Sequence, residues 1–130
     1  MAVVAVYGSL RKGMGNHRVL GDAKFLCSTV TKESYAMYSL GGFPKVSLTG
    51  EKISPIVVEL YECNPEHKMN LDRLEGYRGE GQSNFYDRSP VQTECGQEAL
   101  IYHIEDGYGG TNSPVTSGDW VEYRSQVSVR

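Results

Sequence analysis

The chain has 130 residues, of which 39% are hydrophobic and 22% charged, and its formal net charge is −3. This length fits a single domain, residues 1–130, that buries its own core. Because acidic and basic residues are interspersed and no basic stripe exists, we expect no nucleic-acid partner. Apolar runs are too short for a membrane span and no signal peptide precedes the first strand, so we expect a cytoplasmic protein that does not bind membranes.

Residues 3–11, with the sequence Val-Val-Ala-Val-Tyr-Gly-Ser-Leu-Arg, predict a buried strand that ends in a turn at Gly8. The strand residues are small and mostly β-branched, which is typical of a strand covered on both faces. Its abrupt end brings backbone N–H groups to the rim of the core, and Gly8 lets a ligand approach them closely. Such a rim suits an anionic group or a developing oxyanion. The alternative is an ordinary buried strand followed by a loop.

The rest of the chain is predicted to form short strands and one well-defined helix. In chain order the predicted elements are a helical turn over 16–20, strands over 25–31, 35–40, 46–48 and 56–61, a helix over 65–75, and a hairpin of strands over 86–93 and 98–104. The last parts are an irregular segment over 106–118 and a closing strand or turn over 118–123. Short strands so often interrupted predict the α+β class, as a small mixed β-barrel of six or seven strands with a few short helices.

The predicted helix has clear signals at both ends. Asn64 is a good N-cap, Pro65 suits the first helical position, and Gly76 is a natural stop. Glu75 is the last helical residue, where the negative end of the helix dipole disfavours a carboxylate. Leu74 and Tyr77 offer apolar walls, so both effects raise its proton affinity and suit a general base. The alternative is a solvent-exposed residue at a helix end.

The other residues that could carry chemistry are interpreted differently. Asp72, beside Arg73, is predicted to be a solvated surface acid. The three histidines lie on three different predicted elements, so no metal site is expected. The three cysteines, Cys27, Cys63 and Cys95, show no metal-ligand spacing and are predicted to be reduced thiols packed as small apolar residues. Nothing positive supports a Cys/His nucleophilic pair.

Two phosphate-binding motifs are incomplete, so no nucleotide cofactor is expected. Gly8 and Gly13 have the spacing of a phosphate-binding loop, but Met14 follows instead of the required lysine. A dinucleotide fingerprint begins at Gly13, but Arg18 stands where its third glycine belongs.

Several stretches together carry a family resemblance. They are residues 6–11 (Val-Tyr-Gly-Ser-Leu-Arg), 15–20 (Gly-Asn-His-Arg-Val-Leu), 41–44 (Gly-Gly-Phe-Pro), 71–77 (Leu-Asp-Arg-Leu-Glu-Gly-Tyr), 86–88 (Tyr-Asp-Arg) and 118–120 (Gly-Asp-Trp). Their order and spacing resemble the gamma-glutamylcyclotransferase-like superfamily, in particular its small members akin to gamma-glutamylamine cyclotransferase. The resemblance covers essentially the whole chain.

The resemblance implies a small mixed β-barrel and the release of 5-oxoproline from a gamma-glutamyl amine or amino acid, without metal or cofactor. It implies that Tyr7, Gly8, Ser9 and Leu10 line the gamma-glutamyl pocket with backbone groups and that Glu75 is the catalytic residue. The substrate's own α-amino group would be the nucleophile, which agrees with the absence of a protein nucleophile. The leaving amine and the oligomeric state stay open.

Two alternatives of a different class remain. The same pocket could hold a small ligand without turnover, as a binding module, because a fold does not fix a function. The chain could also act through its surface, although no exposed amphipathic stripe or charge block favours an interaction protein.

Overall fold

The computed structural model describes residues 1–105 and 113–128, and over these ranges the chain forms a mixed α+β fold. The strands are β1 (Ala2–Val6), β2 (Lys24–Val30), β3 (Ala36–Ser39), β4 (Pro44–Ser47), β5 (Val57–Cys63), β6 (Asp87–Gln92) and β7 (Glu98–His103). The helices are α1 (Pro65–Glu75), α2 (Trp120–Ser128) and a 3-10 helix over His17–Leu20. No helix among the described residues is long and apolar enough to span a membrane.

β1 is the central strand of a five-stranded sheet with the order β2-β5-β1-β7-β6. It runs antiparallel to β5 and parallel to β7. Val4 and Val6 belong to the core on one face of the sheet, whereas Ala5 and Tyr7 belong to the core on the other face. The prediction of a strand buried on both faces is therefore confirmed.

A closed barrel is not confirmed, because β2 and β6 remain the two edges of the sheet. The two edges meet only at one end, where Thr31 and Thr93 form an isolated bridge in the described part of the chain. β3 and β4 form a separate two-stranded sheet, in which Pro44 pairs with Ser39. β4 therefore begins at Pro44, which the sequence had placed in a break before the strand.

Helix α1 forms over the predicted residues because its ends are locally encoded. The Asn64 side chain accepts a hydrogen bond from the His67 N–H at 2.8 Å, and the Asn64 N–H donates to Nδ1 of His67 at 3.1 Å. These reciprocal bonds form a capping box. Gly76 ends the helix in the left-handed conformation with φ +70°. Leu71 is fully buried and anchors α1 on the sheet.

The closing strand or turn predicted over 118–123 is wrong, because α2 begins at Trp120. The Asp119 carboxylate accepts a hydrogen bond from the Glu122 N–H at 3.2 Å and so caps the helix. Trp120 is fully buried and stacks on Tyr123, with ring centroids 5.4 Å apart. The predicted irregular segment 106–118 lies partly outside the described residues. Its described part, 113–118, forms a bridge from Pro114 to Tyr38 and a turn in which the Gly118 N–H donates to the Val115 carbonyl at 3.0 Å.

Candidate active site

A cavity of about 330 Å³ opens where β1 ends, between the loop after β1, the turn from β3 to β4, the end of α1 and the start of β6. All five residues that the sequence singled out line this cavity. They are Tyr7, Gly8, Ser9, Leu10 and Glu75. The cavity thus joins segments that lie far apart in the chain.

The loop after β1 carries backbone N–H groups on residues that line the cavity. The carbonyl groups of Gly8 and Ser9 accept hydrogen bonds from the N–H groups of Arg11 and Asn16, at 3.0 and 2.9 Å. The N–H groups of Gly8, Ser9 and Leu10 donate no hydrogen bond within the described part of the chain. Because these donors lie on residues that line a cavity, they are available to an anionic ligand or an oxyanion.

Gly8 is held against the turn between β3 and β4. A Cβ atom at this position would lie 2.8 Å from Cγ of Pro44, closer than real side chains approach. The carbonyl group of Pro44 in turn accepts a hydrogen bond from the Tyr86 hydroxyl at 2.6 Å. The sequence explained Gly8 by the approach of a ligand, whereas the structure shows a second cause, the packing of Pro44 on its α-carbon.

Arg11 anchors the far end of the loop in the protein interior. Its Nε donates to Glu59 at 3.1 Å and its Nη1 donates to Asp119 at 2.8 Å. The other oxygen of the Glu59 carboxylate accepts from the Lys12 N–H at 2.9 Å. Arg11 and Glu59 are buried, at 9% and 6% exposure, so this ion pair ties the loop to β5 and to the start of α2.

Glu75 is half-buried, and burial raises the pKa of its carboxyl from the ordinary 4.5 to about 7. Burial alone accounts for this shift, and no hydrogen bond from the described residues contributes to it. Glu75 lies close enough to Tyr7 to help burial raise the pKa of that phenol well above 10. Leu74 lines the cavity beside Glu75, but Tyr77 instead packs on the guanidinium of Arg88, 4.5 Å from its ring centre.

Asp72, one helical turn before Glu75, is not the solvated acid that the sequence predicted. Its carboxylate accepts two hydrogen bonds from Nη1 of Arg88 at 2.7 Å and one from the Tyr102 hydroxyl at 2.6 Å. The backbone carbonyl of Tyr102 accepts a hydrogen bond from the Tyr7 hydroxyl at 2.6 Å. These bonds attach the last turn of α1 to β6 and β7, which fixes where Glu75 lies.

The cavity combines a proton acceptor with backbone hydrogen-bond donors. A carboxyl group whose pKa is about 7 can both accept and return a proton near neutral pH. No group of three or more His, Cys, Asp or Glu side chains able to hold a metal exists among residues 1–105 and 113–128. This arrangement suits a reaction that needs proton transfer beside an oxygen atom gaining negative charge.

Comparison with known proteins identifies the family. The family model described as gamma-glutamyl cyclotransferase, AIG2-like, matches residues 4–122. The chain belongs to this family. The resemblance stated from the sequence motifs is thereby confirmed at the level of the family.

Three relatives illustrate the range of the family. A protein of Methanocaldococcus jannaschii, named provisionally as a gamma-glutamylcyclotransferase, is 40% identical over 129 residues, 95% of this chain and 99% of its own. The gamma-L-glutamyl-butirosin B gamma-glutamyl cyclotransferase of Niallia circulans is 31% identical over 93% of this chain and 76% of its own. The crystal structure of an uncharacterized Pyrococcus horikoshii protein superposes with a TM-score of 0.78 and 27% identity, covering 100% and 98% of the two chains.

Sequence reasoning missed several cavity-lining residues of this family member. Phe43 and Pro44 were seen as part of a landmark motif, but no role was assigned to them. Tyr86 was likewise part of a motif, and only its bond to Pro44 shows why a tyrosine stands there. No local sequence signal marked Phe85 or Tyr102 as cavity-lining, because aromatic residues in or near strands commonly pack in the core.

Proposed function

We propose that this protein is a cyclotransferase that converts a gamma-glutamyl amine or gamma-glutamyl amino acid to 5-oxoproline and a free amine, with Glu75 as general acid and base. The observation that carries the proposal is the half-buried Glu75, with its raised pKa, in one cavity with the donor loop over residues 7–10. The family and the name of the Niallia circulans relative support the substrate class.

The donor loop would bind the gamma-glutamyl half of the substrate. The N–H groups of Gly8, Ser9 and Leu10 can bind the substrate carboxylate or the oxygen of the γ-carbonyl as that oxygen becomes negative. Tyr7 stays protonated because its pKa is far above 10, and it fixes the start of the loop through its bond to Tyr102. The loop is therefore preorganised before the substrate binds.

Glu75 would then move one proton through the reaction. The carboxylate accepts a proton from the substrate's α-amino group, and the amine nitrogen attacks the γ-carbonyl carbon to form the C–N bond of a five-membered ring. The tetrahedral intermediate collapses, the original γ-amide C–N bond breaks, and protonated Glu75 returns the proton to the departing nitrogen. No water is consumed and no protein nucleophile is needed. Because the attack is intramolecular, holding the substrate folded supplies much of the acceleration.

The substitution Glu75→Gln tests this proposal against a binding module. We expect the variant to lose about 10²–10⁴-fold in the rate of 5-oxoproline release from gamma-glutamyl amides, while calorimetry shows that it still binds them. Glu80→Gln, at an exposed position of the following loop, is the matched control and should keep the wild-type rate. Equal rates in wild type and Glu75→Gln would remove Glu75 from the mechanism. Binding without turnover by the wild type would contradict the enzyme and favour the binding module.

A further inference from the structure

The mouth of the cavity is lined by three large apolar side chains, Phe43, Leu74 and Phe85, which we call the apolar collar. Leu74 and Phe85 are 41% and 42% exposed, and Phe43 is half-buried. The rings of Phe43 and Phe85 lie near each other, with centroids 6.1 Å apart and planes inclined at 54°. Exposed apolar side chains grouped around a cavity mark a contact surface rather than a scattered surface feature.

The collar lies beside the proposed reacting centre. Leu74 directly precedes Glu75 in α1, and the N–H of Phe85 donates to the carbonyl of Gly76 at 3.0 Å. Phe85 is thus fixed against the end of the helix that carries Glu75. With the γ-carbonyl of a substrate between Glu75 and the donor loop, the collar is the apolar part of the same cavity that can receive the group beyond the scissile bond.

The charge around the cavity agrees with an apolar occupant. Glu75 is the only Asp, Glu, Lys, Arg or His among the described residues that line it. A charged leaving group would lose hydration against the collar. Glu75 is the only charged residue in the described lining that could compensate for this loss, and its carboxyl group is already engaged in proton transfer. An apolar or aromatic group instead gains from removing collar surface from water.

We propose that the apolar collar binds the leaving group, so that the preferred substrates are gamma-glutamyl derivatives of apolar amines, with aromatic amines foremost. This inference rests on the proposed cyclotransferase function and adds the substrate class. Discrimination by an apolar pocket is typically 10- to 200-fold. The collar therefore sets a preference among leaving groups, while the gamma-glutamyl half stays common to all substrates.

A panel of gamma-glutamyl compounds tests the collar. We expect kcat/KM for gamma-glutamyl-2-phenylethylamide to exceed that for gamma-glutamylglycine and for gamma-glutamyl-ε-lysine at least about 10-fold. Phe85→Ser and Leu74→Ser should reduce the ratio of kcat/KM for gamma-glutamyl-2-phenylethylamide to kcat/KM for gamma-glutamyl-methylamide about 10-fold. Phe25→Ser on β2 and Met69→Ser on α1 are matched controls, since both side chains are exposed, at 47% and 52%, and lie outside the cavity.

The outcomes separate the collar from the proposed function. Release of 5-oxoproline with equal or reversed preference would overturn the collar and leave the cyclotransferase intact. No 5-oxoproline from any compound of the panel, with thermal unfolding showing a folded protein, would overturn both. A loss on all substrates alike in the collar variants would mean that Phe85 and Leu74 support the site rather than select the leaving group.

A second inference comes from an independent observation at the open edges of the sheet, where two thiols lie close together. Sγ of Cys27, on β2, lies 3.6 Å from Sγ of Cys95, in the turn between β6 and β7. Cys95 is exposed and Cys27 is half-buried, so only Cys63 is the buried small residue that the sequence predicted for all three. The two thiols lie beside the bridge of Thr31 and Thr93, which joins the two edges of the sheet.

We infer that Cys27 and Cys95 are a site of reversible oxidation that forms a disulfide across the open edges of the sheet. The Cys95 thiolate attacks the O–O bond of hydrogen peroxide and becomes a sulfenic acid as one water leaves. Cys27 sulfur then attacks the sulfenic sulfur, a second water leaves, and the S–S bond forms, so two thiols have reduced one peroxide to two waters. A hydrogen bond from Thr93 lowers the pKa of Cys95, which favours it as the attacking thiolate.

Peroxide treatment followed by mass spectrometry tests the thiol pair. We expect the wild type to lose the mass of two hydrogen atoms, to yield one cross-linked peptide pair containing Cys27 and Cys95, and to regain both thiols with dithiothreitol. Cys63→Ser should behave like wild type, whereas Cys27→Ser and Cys95→Ser should form no intramolecular disulfide. Cross-links between chains, pairs that include Cys63, or irreversible oxidation of Cys95 alone would overturn the inference.

Discussion

Gly8 and Pro44 are fitted to each other, since a Cβ on Gly8 would lie 2.8 Å from Cγ of Pro44 and about as close to its Cδ. Gly8 lies in the loop just after the central strand β1, and Pro44 begins β4 in the second sheet. The contact therefore sets the distance between the donor loop and the turn that forms the opposite wall of the cavity. Two motifs that are remote in sequence act as one structural unit.

Adding one methyl group at Gly8 should damage both stability and activity. We expect Gly8→Ala to lower the unfolding free energy by about 1–3 kcal/mol, because the methyl group forces Pro44 and the donor loop apart. Gly15→Ala in the same loop is the control, since a Cβ there meets nothing within 4 Å and its φ is not positive. Denaturant unfolding measures both variants. Equal unfolding free energies of the two variants would show that Pro44 moves away from the added methyl group without a cost in stability.

Alanine substitutions at Gly118 and Gly96 separate the cost of backbone strain from the cost of a steric clash. Gly118 and Gly96 both have positive φ, +70° and +85°, but a Cβ on Gly118 would lie 2.2 Å from the carbonyl oxygen of Pro55, whereas Gly96 is open. We expect Gly96→Ala to cost about 1 kcal/mol and Gly118→Ala about 3 kcal/mol or more. Chemical denaturation measures both variants. An equal loss of unfolding free energy in the two would mean that only backbone strain matters.

The raised pKa of Glu75 makes stability depend on pH in a defined direction. Between the unfolded value of 4.5 and the folded value of about 7, the folded state binds more protons, so stability falls as pH rises through this range. Glu75→Gln removes this loss. We expect its stability relative to wild type to increase by about 1–2 kcal/mol from pH 4 to pH 8, since the full shift equals roughly 3 kcal/mol and solvent screens the part of Glu75 that stays exposed.

Unfolding curves of wild type and Glu75→Gln at several pH values measure this linkage. Glu80→Gln, at an exposed position, is the control and should track wild type throughout. A constant difference between Glu75→Gln and wild type across the range would show that burial does not raise the pKa of Glu75.

The ion pair of Arg11 and Glu59 should be costly to break. Glu59→Gln leaves the buried guanidinium with one weaker partner and should lower the unfolding free energy by about 3 kcal/mol. Glu62→Gln, on the same strand β5, is the control and should change it by about 0.5 kcal/mol or less. Thermal unfolding separates the two cases. A small effect of Glu59→Gln would mean that water reaches the pair and that Asp119 alone anchors Arg11.

The sequence predicted those elements whose signals are local. The cap at Asn64 and the stop at Gly76 define α1, and the β-branched run of β1 defines the central strand. Helix α2 also has a local signal, since Asp119 precedes Glu122 by three residues as in a capping box, but this segment was interpreted as a closing strand or turn. The closure of the sheet depends on how β2 and β6 meet, which no local pattern specifies.

The candidate site was predictable where a motif carries it and not where tertiary contacts create it. The strand end, the helix end and the family resemblance pointed to the donor loop and Glu75, and these residues line one cavity. Asp72 was misjudged because its partners lie 16 and 30 residues away, at Arg88 and Tyr102. Phe85 had no signal at all, since its position against Gly76 follows from the path of the chain after α1.

The most direct test of the account is the product balance of the wild-type protein with gamma-glutamyl-2-phenylethylamide. Intramolecular attack predicts one 5-oxoproline for each amine released, no glutamate, and no uptake of oxygen-18 from labelled water. Release of glutamate in step with the amine would mean that water is the nucleophile, and it would contradict the proposed cyclisation.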